Sequence, residues 1–327
     1  MGREPANREI GVPGDTMHTI DRTALERLLN EEVLHLAPEP HLGGGHSQIF
    51  ACRTSNGDYI LRVCQGQQGY YTHYFPHLLH GDDWLDQRWA TDAARAAGIP
   101  APQIIRTDRE RRWVVMTRLP GLPIDSEYEH WMRCPYDEAH FGDLLQRMHD
   151  IVPAGWGPID DAGHALFATW PDFLLAAARS ALATCGARAA LAPALHSRLE
   201  ACWLPALAAL HLERPALLHM ESLGFANILY QPETRTISGL LDYEDCLGGD
   251  PRFEFTWMRF YFERDGPEQY AFDFTRFAQG YGAIDWEDPV YQLYRPFTYL
   301  DKLRWVPIPG ERATRYCEIL EAMAEAW

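Results

Sequence analysis

Residues 217–250, LLHMESLGFANILYQPETRTISGLLDYEDCLGGD, constrain what this chain can become more than any other stretch. They read as strand, polar loop, strand, tight turn, strand and loop. The polar loop carries His219, Glu221, Ser222 and Asn227, and the last strand runs into Asp242. An acid, an amide a few residues on and a second carboxylate fifteen residues after the amide offer only oxygen donors. Oxygen-only ligands suit a small, hard cation such as Mg2+.

This arrangement resembles the aminoglycoside phosphotransferase and choline-kinase-like family. There a loop H-x-D-x-x-x-x-N is followed by a strand ending I-D-W/Y-E. HMESLGFANIL and GLLDYEDCLGGDP fit that pattern with one disturbance. Glu221 stands two residues after His219 but six before Asn227, while Ser222 stands five before it. The pair Glu221–Ser222 therefore occupies the place of one Asp, and the loop is a residue longer. The resemblance implies an α+β, two-lobed protein-kinase-like fold, with a small β-rich N-lobe and a larger, mainly helical C-lobe. It implies Mg2+ held by Asn227 and Asp242, and an acid facing the hydroxyl that attacks the nucleotide. That acid is Glu221 or its position is taken by Ser222. For Glu221, the longer side chain and a bulge near Gly224 offset each other. His219 and Asp250 are structural members of the same motifs.

Earlier in the chain, HLGGGHSQIFACRTSNGDYILRV at residues 41–63 reads as strand, glycine turn, strand, an Asn56-Gly57 hairpin and strand. Glycines let backbone N–H groups approach phosphate closely. In the family's terms, Gly43, Gly44, Gly45, His46 and Ser47 are nucleotide-phosphate contacts. A third-strand cation touches the α- and β-phosphates. Lys302 is the only lysine of the chain, so Arg62 takes that role. Arginine binds phosphate as a fork and is not equivalent to lysine. SNGDYILRVCQGQQGYY and GWGPID are most similar to the hygromycin-type phosphotransferases.

Apolar spacing predicts a helix over residues 83–97, stopped by Gly98 and Pro100. The family's helix acid, partner of the strand cation, falls on Gln87, with Asp86 beside it. WVVMTRLPGLPI resembles the strand and hinge between lobes, with the adenine edge against Met116 and Leu119. Residues 1–118 are then the nucleotide-binding lobe, 1–15 being a tail, and 119–327 the catalytic and substrate-binding lobe. Helical patterns follow in YDEAHFGDLLQRMHDI, TWPDFLLAAARSALATCG and LAPALHSRLEACWLPALAALH. Aromatic helices fill residues 253–327, the expected substrate wall.

Composition bounds the partners. The formal charge of −17 disfavours nucleic acid, whose binding rests on neutralising phosphates, and favours cationic or neutral small molecules. Seven cysteines without C-x-x-C spacing argue for a reducing cytoplasm and against structural zinc. No run approaches 18 apolar residues, so no membrane span is expected. The expected activity is ATP- or GTP-dependent O-phosphorylation of a hydroxylated small molecule, aminoglycoside-like or another antibiotic. The alternative is a kinase-fold pseudoenzyme that binds nucleotide or ligand with little transfer.

Overall fold

Asp21 starts the first helix. Its carboxylate accepts the Ala24 N–H at 3.0 Å, and Asn30 closes the far end in the left-handed conformation, φ 57°. The resulting α1 (Arg22–Leu29) buries Ala24, Leu25 and Leu29. The structure is a computed structural model. It describes residues 20–39, 47–64, 85–124, 134–220, 227–265 and 272–327, with the backbone alone for 261–265. The chain divides into two units, residues 1–67 with 104–118, and residues 68–103 with 119–327.

In the first unit, β1 (Val33–Pro38), β2 (Ser47–Thr54), β3 (Asp58–Cys64), β4 (Ile104–Asp108) and β5 (Trp113–Thr117) form one sheet, ordered β1-β2-β3-β5-β4. Every pair is antiparallel. The Asn56-Gly57 turn joins β2 to β3 as the sequence predicts. Thr54 Oγ1 accepts both N–H groups of that turn, at 3.1 and 3.3 Å. Leu61, Val63, Phe50, Cys52, Trp113 and Val115 pack with Leu25 and Leu29 of α1. Strand alternation then puts Arg62 on the face opposite Leu61 and Val63.

The second unit begins, among described residues, with α2 (Arg88–Ala96), followed by β6 (Leu122–Pro123), α3 (Glu138–Asp150), β7 (Trp156–Ile159) and β8 (Ala165–Phe167). Residues 85–103 group with the second unit. One sequence expectation needs correction here: the helix starts at Arg88, five residues later than the pattern suggests. One side chain accounts for this. The Asp161 carboxylate, in the loop after β7, accepts the N–H groups of Leu85, Asp86 and Gln87 at 2.9, 3.0 and 2.6 Å. Three orphan donors at a helix start are satisfied from a distant hairpin, so residues 85–87 stay extended or turned instead of winding. Burial, and Asp86 second, raise the Asp161 carboxyl above its ordinary range, against those N–H bonds.

α4 (Trp170–Ala187) is capped by Thr169, whose Oγ1 accepts the Asp172 N–H at 3.2 Å. α5 (Pro193–Arg198) and α6 (Leu204–Ala208) join through a π-helical turn at Leu199–Trp203. Pro205 cannot donate its backbone nitrogen, and the widened turn precedes it. Then come β9 (Ala216–His219), β10 (Ile228–Gln231), β11 (Thr236–Leu240), a 3-10 turn at Tyr243–Asp245 and β12 (Cys246–Gly249). α7 (Pro251–Asp265), α8 (Phe274–Tyr281), α9 (Val290–Trp305) and α10 (Glu311–Glu325) complete the chain.

β6, β10 and β11 make one small sheet, and β8-β7-β12-β9 a second. β12 was expected as loop. Its glycines are what let it pack as a strand. A Cβ on Gly248 would stand 2.1 Å from the Gly155 carbonyl oxygen, and one on Gly249 2.7 Å from Leu218. Trp170, Phe173, Trp203, Phe297 and Leu300 anchor the helical core. Phe141, Leu145, Tyr243, Phe255 and Phe277 anchor the core around the small sheets. Each such side chain contributes roughly 1.5–3 kcal/mol by leaving water.

Candidate active site

The β10–β11 ladder delivers the two predicted cation ligands to one place. Ile228 pairs with Leu240, and one step beyond, Leu241 N–H donates to the Asn227 carbonyl at 2.8 Å. Asn227 and Asp242 therefore leave the same end of one hairpin. Asp242 adopts φ 65°, ψ 70° and opens the 3-10 turn. Such left-handed backbone is one that Asp and Asn tolerate better than most residues. Both residues are half-buried, while Asp245 in the turn is buried.

His219 ends β9 directly before the loop and pairs with Cys246 of β12. It is fully buried. Its ring meets Tyr243 edge-on, with centroids 4.5 Å apart. Among the described residues, neither ring nitrogen of His219 nor the Tyr243 hydroxyl has a hydrogen-bond partner. Burial lowers the His219 pKa below 6.5, outweighing the Glu254 and Asp242 charges that favour the imidazolium. Burial likewise lifts the Tyr243 phenol well above 10. Both groups are neutral near pH 7, and the two rings pack against each other. Its backbone N–H donates to Glu254 Oε2 at 3.1 Å. Asp250 is structural too. Arg252 bonds it from Nε and Nη2, reaches Asp288 with Nη1 at 2.6 Å, and the Tyr294 hydroxyl donates to Asp250 at 2.7 Å.

Arg62 lies in the middle of β3, paired with Ile49 and Val114, and is 7% exposed. Ser47 opens β2 opposite Cys64. Met116, half-buried, pairs with Ile60 and Ile104 in the same sheet. Leu119 belongs to the second unit, where its Cδ1 stands 3.0 Å from where a Cβ on Gly239 would be. Asp86 is buried in the second unit, its carboxylate 3.4 Å from Arg88 Nη2 and accepting the Arg88 N–H at 3.1 Å. Gln87, the counted position of the helix acid, is left-handed at φ 52°. Gly43, Gly44, Gly45, His46, Glu221 and Ser222 lie outside the described residues.

Among the described residues no group of three or more His, Cys, Asp or Glu is arranged to hold a metal ion. An Asn and an Asp at one hairpin end still fit Mg2+, which keeps several waters and takes much of its shell from nucleotide phosphates. Sequence reasoning missed Glu254, His149 and Tyr281, which stand behind His219. The Glu254–His149 bond spans 105 residues and the His149–Tyr281 bond 132, so no local spacing could reveal them.

The chain matches the phosphotransferase enzyme family over residues 39–294. No curated protein sequence matches it significantly. Among solved structures it is similar to a fructosamine-3-kinase-type protein from Thermobifida fusca, at 17% identity and a TM-score of 0.61, covering 93% of this chain and 98% of that one. The aminoglycoside phosphotransferase APH(4)-Ia, solved with AMP-PNP and hygromycin B, gives 17% identity and a TM-score of 0.61, with 93% and 97% covered. The macrolide 2'-phosphotransferase MphH from Brachybacterium faecium gives 20% and 0.57, with 93% and 97% covered. At these identities the likeness establishes a shared α+β, protein-kinase-like fold. With a family match that spans most of its length, the chain belongs to the phosphotransferase enzyme family.

Proposed function

We propose that the chain is an ATP- or GTP-dependent O-phosphotransferase acting on a hydroxyl of a small molecule, aminoglycoside-like or another antibiotic. The observation that carries this reading is the shared hairpin end of Asn227 and Asp242, directly after the loop that begins at His219. Two of the similar proteins act with hygromycin B and a macrolide, which are hydroxylated small molecules. The net charge of −17 favours a cationic acceptor by long-range attraction. The seven cysteines, none in a disulfide, suit a reducing cytoplasm. Among the described residues no helix is long and apolar enough to cross a membrane.

In-line transfer of a γ-phosphoryl group leaves the protein mostly positioning and charge neutralisation. Gly43 to Ser47 would offer backbone N–H groups to the phosphates and Arg62 a guanidinium. Asn227 and Asp242 would hold Mg2+, which would supply neutralisation of phosphate charge. Met116 and Leu119 would flank the adenine or guanine. Glu221 would orient the acceptor hydroxyl and take its proton; Ser222, the rival at that position, cannot act as a base.

Glu221→Gln tests the assignment. With MgATP and hygromycin B, a macrolide or a fructosamine as acceptor, turnover should fall at least about 10²-fold at unchanged nucleotide affinity. Full activity in that variant would remove Glu221 from the chemistry. The second reading, a nucleotide-binding pseudoenzyme, draws on the lengthened loop, the arginine at position 62 and Gln87 at the helix-acid position. Wild-type protein that binds MgATP yet phosphorylates no acceptor in a broad panel of hydroxylated amines would favour it.

A further inference from the structure

Tyr281 is given no role in the proposed transfer, yet it ends a largely buried chain of hydrogen bonds that reaches the backbone of His219. Its hydroxyl stands 2.8 Å from His149 Nδ1. His149 Nε2 stands 3.0 Å from Glu254 Oε2. The same oxygen accepts the His219 N–H, two residues before Glu221. Glu254 is 0% and His149 4% exposed. A buried carboxylate is unfavourable unless hydrogen-bonded partners compensate it, so its position is fixed by where those partners stand.

Those partners come from three helices. α7 brings Glu254, α3 brings His149, and α8 brings Tyr281. β9 is tied to the end of α3 by Leu217 N–H donating to the Ile151 carbonyl at 2.9 Å. α3 and α8 touch backbone to backbone. A Cβ on Gly142 would stand 2.2 Å from the Phe277 carbonyl oxygen, and one on Gly280 1.8 Å from that of Ala139. The Tyr281 ring is held by Phe277 stacked at 5.6 Å and by Phe255 edge-on at 4.8 Å. Burial, and Glu254 second, keep its phenol protonated. An O–H that donates to Nδ1 leaves Nε2 carrying the proton, and Nε2–H then donates to Glu254. The tyrosine thereby favours the imidazole tautomer that donates to the carboxylate.

We infer that Tyr281, acting through His149 and Glu254, is a positioning residue that fixes the backbone of His219, two residues before Glu221 in the sequence. This rests on the reading of Glu221 as the proton acceptor. Removing the Tyr281 hydroxyl frees the imidazole to turn, slackens Glu254, and loosens the chain where it leaves β9. A nucleotide held by other residues does not register the change.

Tyr281→Phe, Glu254→Gln and the double variant, made in the full chain, test the inference. The readouts are phosphoryl transfer from MgATP, KM for MgATP, unfolding midpoint, and amide hydrogen exchange over residues 217–230. Tyr281→Phe should lower kcat about tenfold, leave KM within twofold and speed exchange in that segment. The double variant should lose no more than Glu254→Gln alone, because both act in one chain. Unchanged exchange in Tyr281→Phe overturns the inference, as do additive losses or a fall in kcat that only tracks the unfolding midpoint. Should Glu254→Gln fail to fold, Tyr281→Phe, which removes one oxygen, still decides. Wild-type protein without transferase activity would defeat the functional reading, whereas the exchange measurement would still judge the relay.

Discussion

Asp242 adopts a left-handed backbone that Asn also tolerates, so Asp242→Asn removes a charge without straining the turn. We expect that variant to lose Mg2+-dependent nucleotide binding while its unfolding midpoint stays near the wild-type value. Calorimetry with ATP, with and without Mg2+, checks it; unchanged affinity would take Asp242 out of the site. Arg62 is buried enough for its stem to pack, so its charge and its bulk need separate probes. Arg62→Met keeps most of the stem, and both it and Arg62→Ala should weaken MgATP binding at least tenfold, about 1.4 kcal/mol. An effect in Arg62→Ala alone would mean that packing, not phosphate contact, is its role. The spacing of Asn227 and Asp242 was legible because a tight hairpin turns sequence distance into spatial nearness. The Glu254–His149–Tyr281 chain was not, because helices from three parts of the sequence build it.

At the scale of elements, α3 is tied to β11 through one titratable ring. His140 Nδ1 accepts the Ile237 N–H at 3.0 Å, which requires that nitrogen unprotonated. Burial depresses the His140 pKa below 6.5, against the pull of Asp143 and Asp137. A histidine with a lowered folded value gives stability that is full above pH 6.5 and lost as pH falls through that lowered value. Between pH 7.5 and 5 the urea midpoint of wild type should therefore drop more than that of His140→Asn, which keeps an acceptor that cannot titrate. The difference cannot exceed about 1.4 kcal/mol per pH unit, the limit for one proton. Equal slopes would show that the bond does not respond to protonation. The long helices and the Asn56-Gly57 hairpin could be read from apolar period and turn chemistry. β12 could not, since Gly248 and Gly249 signal a loop unless the backbone they lie against is known. Nor could the late start of α2, whose donors are satisfied by Asp161 from beyond the reach of any sequence window.

For the whole molecule, the family and the α+β architecture were present in the motifs, but the assignment of residues 85–103 to the second unit was not. Motif order along the chain does not say which core a helix joins. Ligand linkage offers a test at this scale. MgATP at 100 times its dissociation constant should stabilise the protein by about 2.7 kcal/mol, and EDTA should abolish the gain. A midpoint indifferent to MgATP would count against any nucleotide site. The lysine-poor sequence carries a practical consequence. Lys302, its one side-chain amine, lies against the Trp257 ring at 5.5 Å and near Asp301. Acylating nucleotide probes that report kinases by tagging an active-site amine would find none at position 62. A survey built on such reagents would leave the proposed nucleotide site of this protein silent, whereas dicarbonyl reagents that condense with guanidinium groups have a target there in Arg62.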